Sequence, residues 1–195
     1  IGELILAVYG GLIGAAGARE GVGTAMLSRH AFGRMGSRIV GAALALTHVG
    51  WFSVQVGFFG QTINSMFPNG GFITSIQAAA LWGGILMILT AYFGYKGLSI
   101  LSKIAVPAII VTSVIGVIMA VKHTEGWSNM FTIQAADPTS IALGIVLAVG
   151  SFAAGASAQA DITRYAKSVS AAWIATVFGF IFANTFVILA GFITF

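Results

Sequence analysis

Apolar residues in this chain come in runs too long for the helices of a soluble domain, with short polar stretches between them. Six runs stand out, at about 1–17, 39–63, 76–95, 100–121, 141–159 and 171–195. Crossing the hydrocarbon core of a bilayer takes roughly 17–25 residues of helix. The four middle runs therefore predict spanning helices, the run at 141–159 being the shortest of them. Barrel strands need only about 9–11 alternating residues, so helices suit these runs better. Ile1 is not an initiator methionine and opens inside an apolar stretch, and Phe195 closes inside another. With no charged region ahead of it, the first run is not a signal peptide. The expectation is one transmembrane domain over 1–195, an internal fragment cut within a helix at each end.

The polar connections alternate in charge. Loop Ala18–Arg38 carries Arg19, Arg29, Arg34 and Arg38, whereas Asn64–Ser75 carries no charge. Loop Lys96–Ser99 and the helix start after it carry Lys96 and Lys103. Loop Lys122–Ser140 holds Lys122, Glu125 and Asp137, and Ala160–Ser170 holds Arg164 and Lys167. Basic loops stay on the cytoplasmic side. The first, third and fifth connections are thus expected inside, with every run crossing once. Pro107, in the first third of the fourth run, is expected to kink it or loosen its backbone pairing.

Composition narrows the class further. Hydrophobic residues make up 58% of the chain and charged residues 7%, against roughly 45–50% and about 25% in soluble proteins. The formal charge of +4 belongs to the topology signals and does not indicate nucleic acid. No cysteine is present, which removes disulfides and thiolate metal sites. The chain has no His-Glu-x-x-His, no Gly-x-Ser-x-Gly elbow and no phosphate loop, so it is not read as an enzyme, and no catalytic or metal-binding residue is assigned.

Polar residues inside apolar spans call for a partner or a function. In the second run His48, Trp51 and Gln55 fall three and four residues apart, on one helical face. An aromatic plane beside two neutral hydrogen-bonding groups suits a flat, uncharged, polar-edged ligand. The same side chains also serve as interfacial anchors and inter-helix hydrogen bonders. The fifth run is short and rich in glycine and serine around Gly150-Ser151-Phe152. That is the mark of a broken transporter helix, or equally of close small-xxx-small packing over Gly150–Ala154 and Ser151–Gly155. Asn184 in the last run reads as an inter-helix hydrogen bonder, and Glu3 has no evident partner.

Three blocks resemble the nucleobase–cation symporter family. They are Leu27-Ser28-Arg29-His30-Ala31-Phe32-Gly33 running on to Val49-Gly50-Trp51-Phe52, then Leu101-Ser102-Lys103-Ile104-Ala105-Val106-Pro107-Ala108, then Val149-Gly150-Ser151-Phe152 with Ala160-Asp161-Ile162-Thr163-Arg164-Tyr165-Ala166-Lys167. The likeness covers nearly the whole chain. It implies an all-α membrane protein of the leucine-transporter type, with five-plus-five inverted repeats, of which this fragment spans helices two to seven. It also implies a sixth helix interrupted at Gly150–Phe152, with Trp51 stacking on one side of the substrate, Phe152 on the other, and Ser151 beside it. Cytosine-transporting members carry glutamine at the place of His48 and glycine at that of Gln55. The Trp-Phe-x-x-Gln spacing here resembles instead that of the family's hydantoin transporters.

The resemblance implies import of a nucleobase or related planar heterocycle, cytosine first, by cation symport with alternating access in the inner membrane. A purine, hydantoin or allantoin is the alternative substrate, and a structural membrane subunit or a passive channel the alternative function. The implied partners are the small-molecule substrate, the lipid bilayer and a coupling Na+ or H+. The family holds that cation between its first and eighth helices, outside the fragment. No other cofactor and no nucleic acid are expected.

Overall fold

The computed structural model describes residues 1–123 and 140–194. The expectations for Glu125 and Asp137 lie outside the described residues. Those that are described form an all-α protein with no strand among them. In chain order the elements are α1 (Gly2–Glu20), α2 (Thr24–Met66), a 3-10 turn (Phe72–Thr74), α3 (Ile76–Tyr92), α4 (Gly94–His123), α5 (Ile141–Ser157), α6 (Gln159–Thr163), α7 (Val169–Phe178), a π-helical stretch (Gly179–Asn184) and α8 (Thr185–Thr194). By length and composition three stretches among the described residues can cross a membrane, Thr24–Met66, Gly94–His123 and Val169–Gly191, with shorter apolar helices at Ile76–Tyr92 and Ile141–Ser157.

Several boundaries differ from the hydropathy reading, for local reasons. Residues 18–38 are not a loop. α1 runs on to Glu20 and is closed by Gly21, whose left-handed backbone (φ 67°) lets its N–H reach the Gly17 carbonyl. This is a common way for helices to end. α2 begins already at Thr24 and passes through a sharp kink at Gly33 (φ 65°, ψ −172°). That backbone region is essentially open to glycine alone, so the basic stretch Arg29–Arg38 is helical on both sides of one glycine joint. Lys96 and Ser99 likewise lie inside α4, which starts at Gly94 and continues through Pro107. Proline supplies no N–H to the preceding turn, yet the helix does not end there.

The chain forms two compact units, one of Ile1–Gly41 with Ala108–Phe195, the other of Ala42–Pro107. In the first, α1 is the central element and packs on α5, α6, α7 and the π stretch. Its contact face is made of the smallest side chains. A Cβ on Gly2 would stand 2.8 Å from Ala148 Cβ, one on Gly10 3.3 Å from Ala156 Cβ, and one on Gly17 2.6 Å from Ala160 Cα. The spacing of Gly2, Leu6, Gly10, Gly14 and Gly17 keeps them on one side of the helix, and small residues let membrane helices approach closely. Leu6, Ala7, Ala156 and Phe180 form the core of this unit.

In the second unit α2 packs on α3. Gly60 lies against the Ile76 carbonyl and Ala80, and Gly83 lies under the Phe59 ring. Phe59 meets Trp82 edge to face at 5.0 Å between centroids. Trp82 Nε1 donates to the Ile73 carbonyl (3.1 Å) and Asn64 Nδ2 to the Thr74 carbonyl (3.0 Å), fastening the turn between the two helices.

Candidate functional site

The second unit carries the His48, Trp51 and Gln55 stripe on an unbroken stretch of α2. The α-helical repeat that aligns these residues also places Val56, Phe59 and Gly60 on the neighbouring stripe that meets α3. The packing therefore leaves the first stripe open: Trp51 is 39% exposed, and His48 and Gln55 are exposed. His48 Nδ1 lies 2.7 Å from the Leu44 carbonyl. A carbonyl only accepts, so Nδ1 carries the hydrogen. Thr47 and Ser53 hydroxyls donate to the carbonyls of Ala43 and Val49, within the helix. The indole N–H of Trp51 and the carboxamide of Gln55 take no hydrogen bond among the described residues. No Asp, Glu, Lys or Arg occurs between Arg38 and Lys96, so this surface presents an aromatic face and neutral donors and acceptors. Such a set matches a planar ligand without net charge.

The first unit carries Gly150, Ser151 and Phe152, and here one expectation is corrected. α5 is continuous from Ile141 to Ser157, so the helix is not interrupted at Gly150–Phe152. Gly150 has ordinary helical geometry with open space beside it. The small-residue packing considered for 150–155 is not what Gly150 does either, since nothing lies within 4 Å of where its Cβ would stand. Ser151 Oγ donates to the Ala148 carbonyl (2.8 Å). Phe152 is 46% exposed and meets Phe180 edge to face, 6.1 Å between centroids.

The interruption comes later, at Ala158 (φ −92°, ψ 10°), between α5 and α6. Just before it, the Ala153 carbonyl accepts from both Tyr9 Oη (2.7 Å) and Ser157 Oγ (2.8 Å). Beyond the break, Gln159 Nε2 donates to Thr176 Oγ1 (3.0 Å), and the Thr176 hydroxyl donates to the Ala172 carbonyl (2.8 Å). Asp161 stands against Gly23 at the start of α2, and Arg164 lies 4.8 Å from the centre of the Tyr165 ring.

Sequence reasoning missed Tyr9, Gln159 and Thr176 because each works through a partner far along the chain. Asn184 does act as an inter-helix hydrogen bonder, and its partner is Glu3: Nδ2 donates to Oε1 over 2.9 Å.

Comparison with known proteins adds an independent line. The family described as a permease for cytosine/purines, uracil, thiamine, allantoin matches residues 1–194. The cytosine permeases of Escherichia coli strain K12 and of Escherichia coli O157:H7 are each 32% identical to this chain over 191 residues, 98% of this chain and 44% of theirs. The chain thus spans less than half the length of these curated relatives.

Proposed function

Because the chain belongs to the family of permeases for cytosine/purines, uracil, thiamine and allantoin, we propose that it is the substrate-recognising part of a secondary active transporter. That transporter imports a nucleobase, cytosine first, across the inner membrane by cation symport with alternating access. The observation that carries the reading beyond the family is the exposed stripe on α2. It offers an indole face, a carboxamide and an imidazole edge in register, in a stretch without a charged residue.

In this mechanism the ring of the base stacks on Trp51. Stacking of a base on an aromatic side chain contributes about 1–3 kcal/mol, whereas one hydrogen bond contributes about 0.5–1.5 kcal/mol net. Stacking therefore dominates affinity. Gln55, with one donor and one acceptor, and His48 read the polar edge, and an analogue with a mismatched edge leaves them unsatisfied and is rejected. Phe152, Ser151 and Gly150 are assigned to the substrate on the resemblance, and this assignment needs no break in α5. The five-plus-five repeat and the coupling cation belong to the same proposal.

The decisive experiment is uptake of labelled cytosine by the full-length protein in proteoliposomes, competed by uracil, adenine, hypoxanthine, hydantoin and allantoin. Saturable uptake driven by a sodium or proton gradient, displaced by at least one of these, is expected. Uptake that neither saturates nor follows an ion gradient would point to a passive channel and end the reading.

A further inference from the structure

Glu3 is the only carboxylate that α1 turns toward another apolar helix. Asn184 closes the π-helical stretch in the middle of the Val169–Gly191 apolar run. Its amide donates to Glu3 Oε1 over 2.9 Å, which fixes the depth of the carboxylate within that run. The second oxygen, Oε2, is buried and has no hydrogen-bond partner among the described residues.

An acceptor-only group with one oxygen bonded and the other buried bare is an unfavourable arrangement in an apolar setting. Inter-helix hydrogen bonding alone would be served as well by an amide at position 3, which carries no charge. The other titratable groups near by are few. α1 itself carries Tyr9, whose hydroxyl is engaged by Ala153, and Arg19 and Glu20 at its far end. α5, α7, the π stretch and α8 contain no ionisable side chain, and α6 contributes only Asp161, beside Gly23. Among the described residues of these elements, no basic side chain is at hand to neutralise Glu3. The π stretch is a second, independent feature: i→i+5 turns inside α-helices recur at functional sites, and here the turn ends on the residue that holds the carboxylate.

We propose that Glu3 and Asn184 form a cation site, in which Glu3 Oε2 takes up one positive charge, a proton or a sodium ion. Asn184 orients the carboxylate through its amide hydrogen. Bound cation joins α1 to the π stretch, so occupancy stabilises this packing. The site shares no residue with the nucleobase-facing set, and it differs from the cation position that the resemblance places outside the fragment. It rests on the symport reading for its purpose, though not for its chemistry.

The test uses the full-length protein purified in detergent. Melting temperature is followed against sodium chloride, with choline chloride as the ionic-strength control, and separately across a pH series, for wild type, Glu3→Gln and Glu3→Asp. Glutamine keeps the acceptor for Asn184 and removes the charge. The expected result is a cation-dependent upward shift in wild type that is lost in Glu3→Gln and kept in Glu3→Asp, the sodium or the pH arm identifying the cation. An equal shift in Glu3→Gln, or a wild type that responds to neither, overturns the site. Should Glu3→Gln fail to fold, wild-type protein treated with dicyclohexylcarbodiimide decides. Modification at Glu3, read by peptide mass, is expected to fall with added sodium or with rising pH, and a yield indifferent to both overturns the site. Stabilisation by cytosine is measured on the same samples. Its absence in wild type would sink the transport reading while leaving the cation result standing.

Discussion

Tyr9 donates its hydroxyl hydrogen to the backbone carbonyl of Ala153 over 2.7 Å, a bond that joins residues 144 positions apart. It pins α1 to α5 a few residues before the helix stops at Ala158. Tyr9→Phe removes this bond and leaves Ser157 as the remaining side-chain donor to that carbonyl. Inter-helix hydrogen bonds in a membrane protein average about 0.6 kcal/mol, so a small fall in stability is expected, measurable by denaturation of the full-length protein in detergent. A loss of several kcal/mol would show that the bond holds the break in place as well as the packing.

Trp51→Ala is expected to weaken nucleobase binding by about 1–3 kcal/mol, roughly 5- to 150-fold in dissociation constant at 1.4 kcal/mol per tenfold. Trp51→Phe should recover part of this, because a smaller aromatic face remains. Equilibrium binding of labelled cytosine to purified full-length protein is the measurement. Unchanged binding in Trp51→Ala would remove the indole from the site.

Gln55→Leu separates affinity from selectivity. The loss in affinity for the best substrate should be about 0.5–1.5 kcal/mol, but the ranking of competitors should compress, since the edge that rejects mismatched rings is gone. A competition panel in proteoliposomes reads this directly. An unaltered ranking would assign Gln55 to helix packing.

Two glycines should behave in opposite ways. On Gly17 a Cβ would stand 2.6 Å from Ala160 Cα, backbone that cannot yield easily, whereas beside Gly150 there is open space within a continuous helix. Gly17→Leu is expected to destabilise by about 1–3 kcal/mol through overpacking, with lower yield of folded protein. Gly150→Ala should be neutral or stabilising, by up to about 1 kcal/mol of helix propensity. Size-exclusion profile and melting temperature compare the two. Collapse of Gly150→Ala would indicate a broken backbone at that position.

Gly33 adopts φ 65° and ψ −172° with nothing packed beside it. Gly33→Ala therefore meets no steric neighbour, and the full cost is backbone strain of about 1–3 kcal/mol. Straightening of the kink would relieve it, and the distance between spin labels at Arg29 and Arg38 should then lengthen.

The alignment of the candidate residues on α2 was readable without coordinates. That His48, Trp51 and Gln55 share a face follows from the helical repeat, and α2 is regular there, so the inference holds. The break at Gly150 did not survive, because glycine permits a departure from helical geometry without requiring one. α5 stops instead at Ala158, just after the Ala153 carbonyl takes a hydrogen bond from the distant Tyr9. Glu3 looked partnerless for the same reason: its partner, Asn184, is 181 positions away.

The sequence by itself determined the solvent and the class of this protein, since the preference of a run of about 20 residues for lipid is a sum of local terms that hardly depends on neighbours. It also determined the aromatic and carboxamide stripe, because spacing along one helix is a local property. Only the tertiary structure decided which glycines pack, where α5 stops and what Glu3 faces. Each of these depends on the atom that a distant segment brings within hydrogen-bond or van der Waals range, and no window along the chain contains that atom.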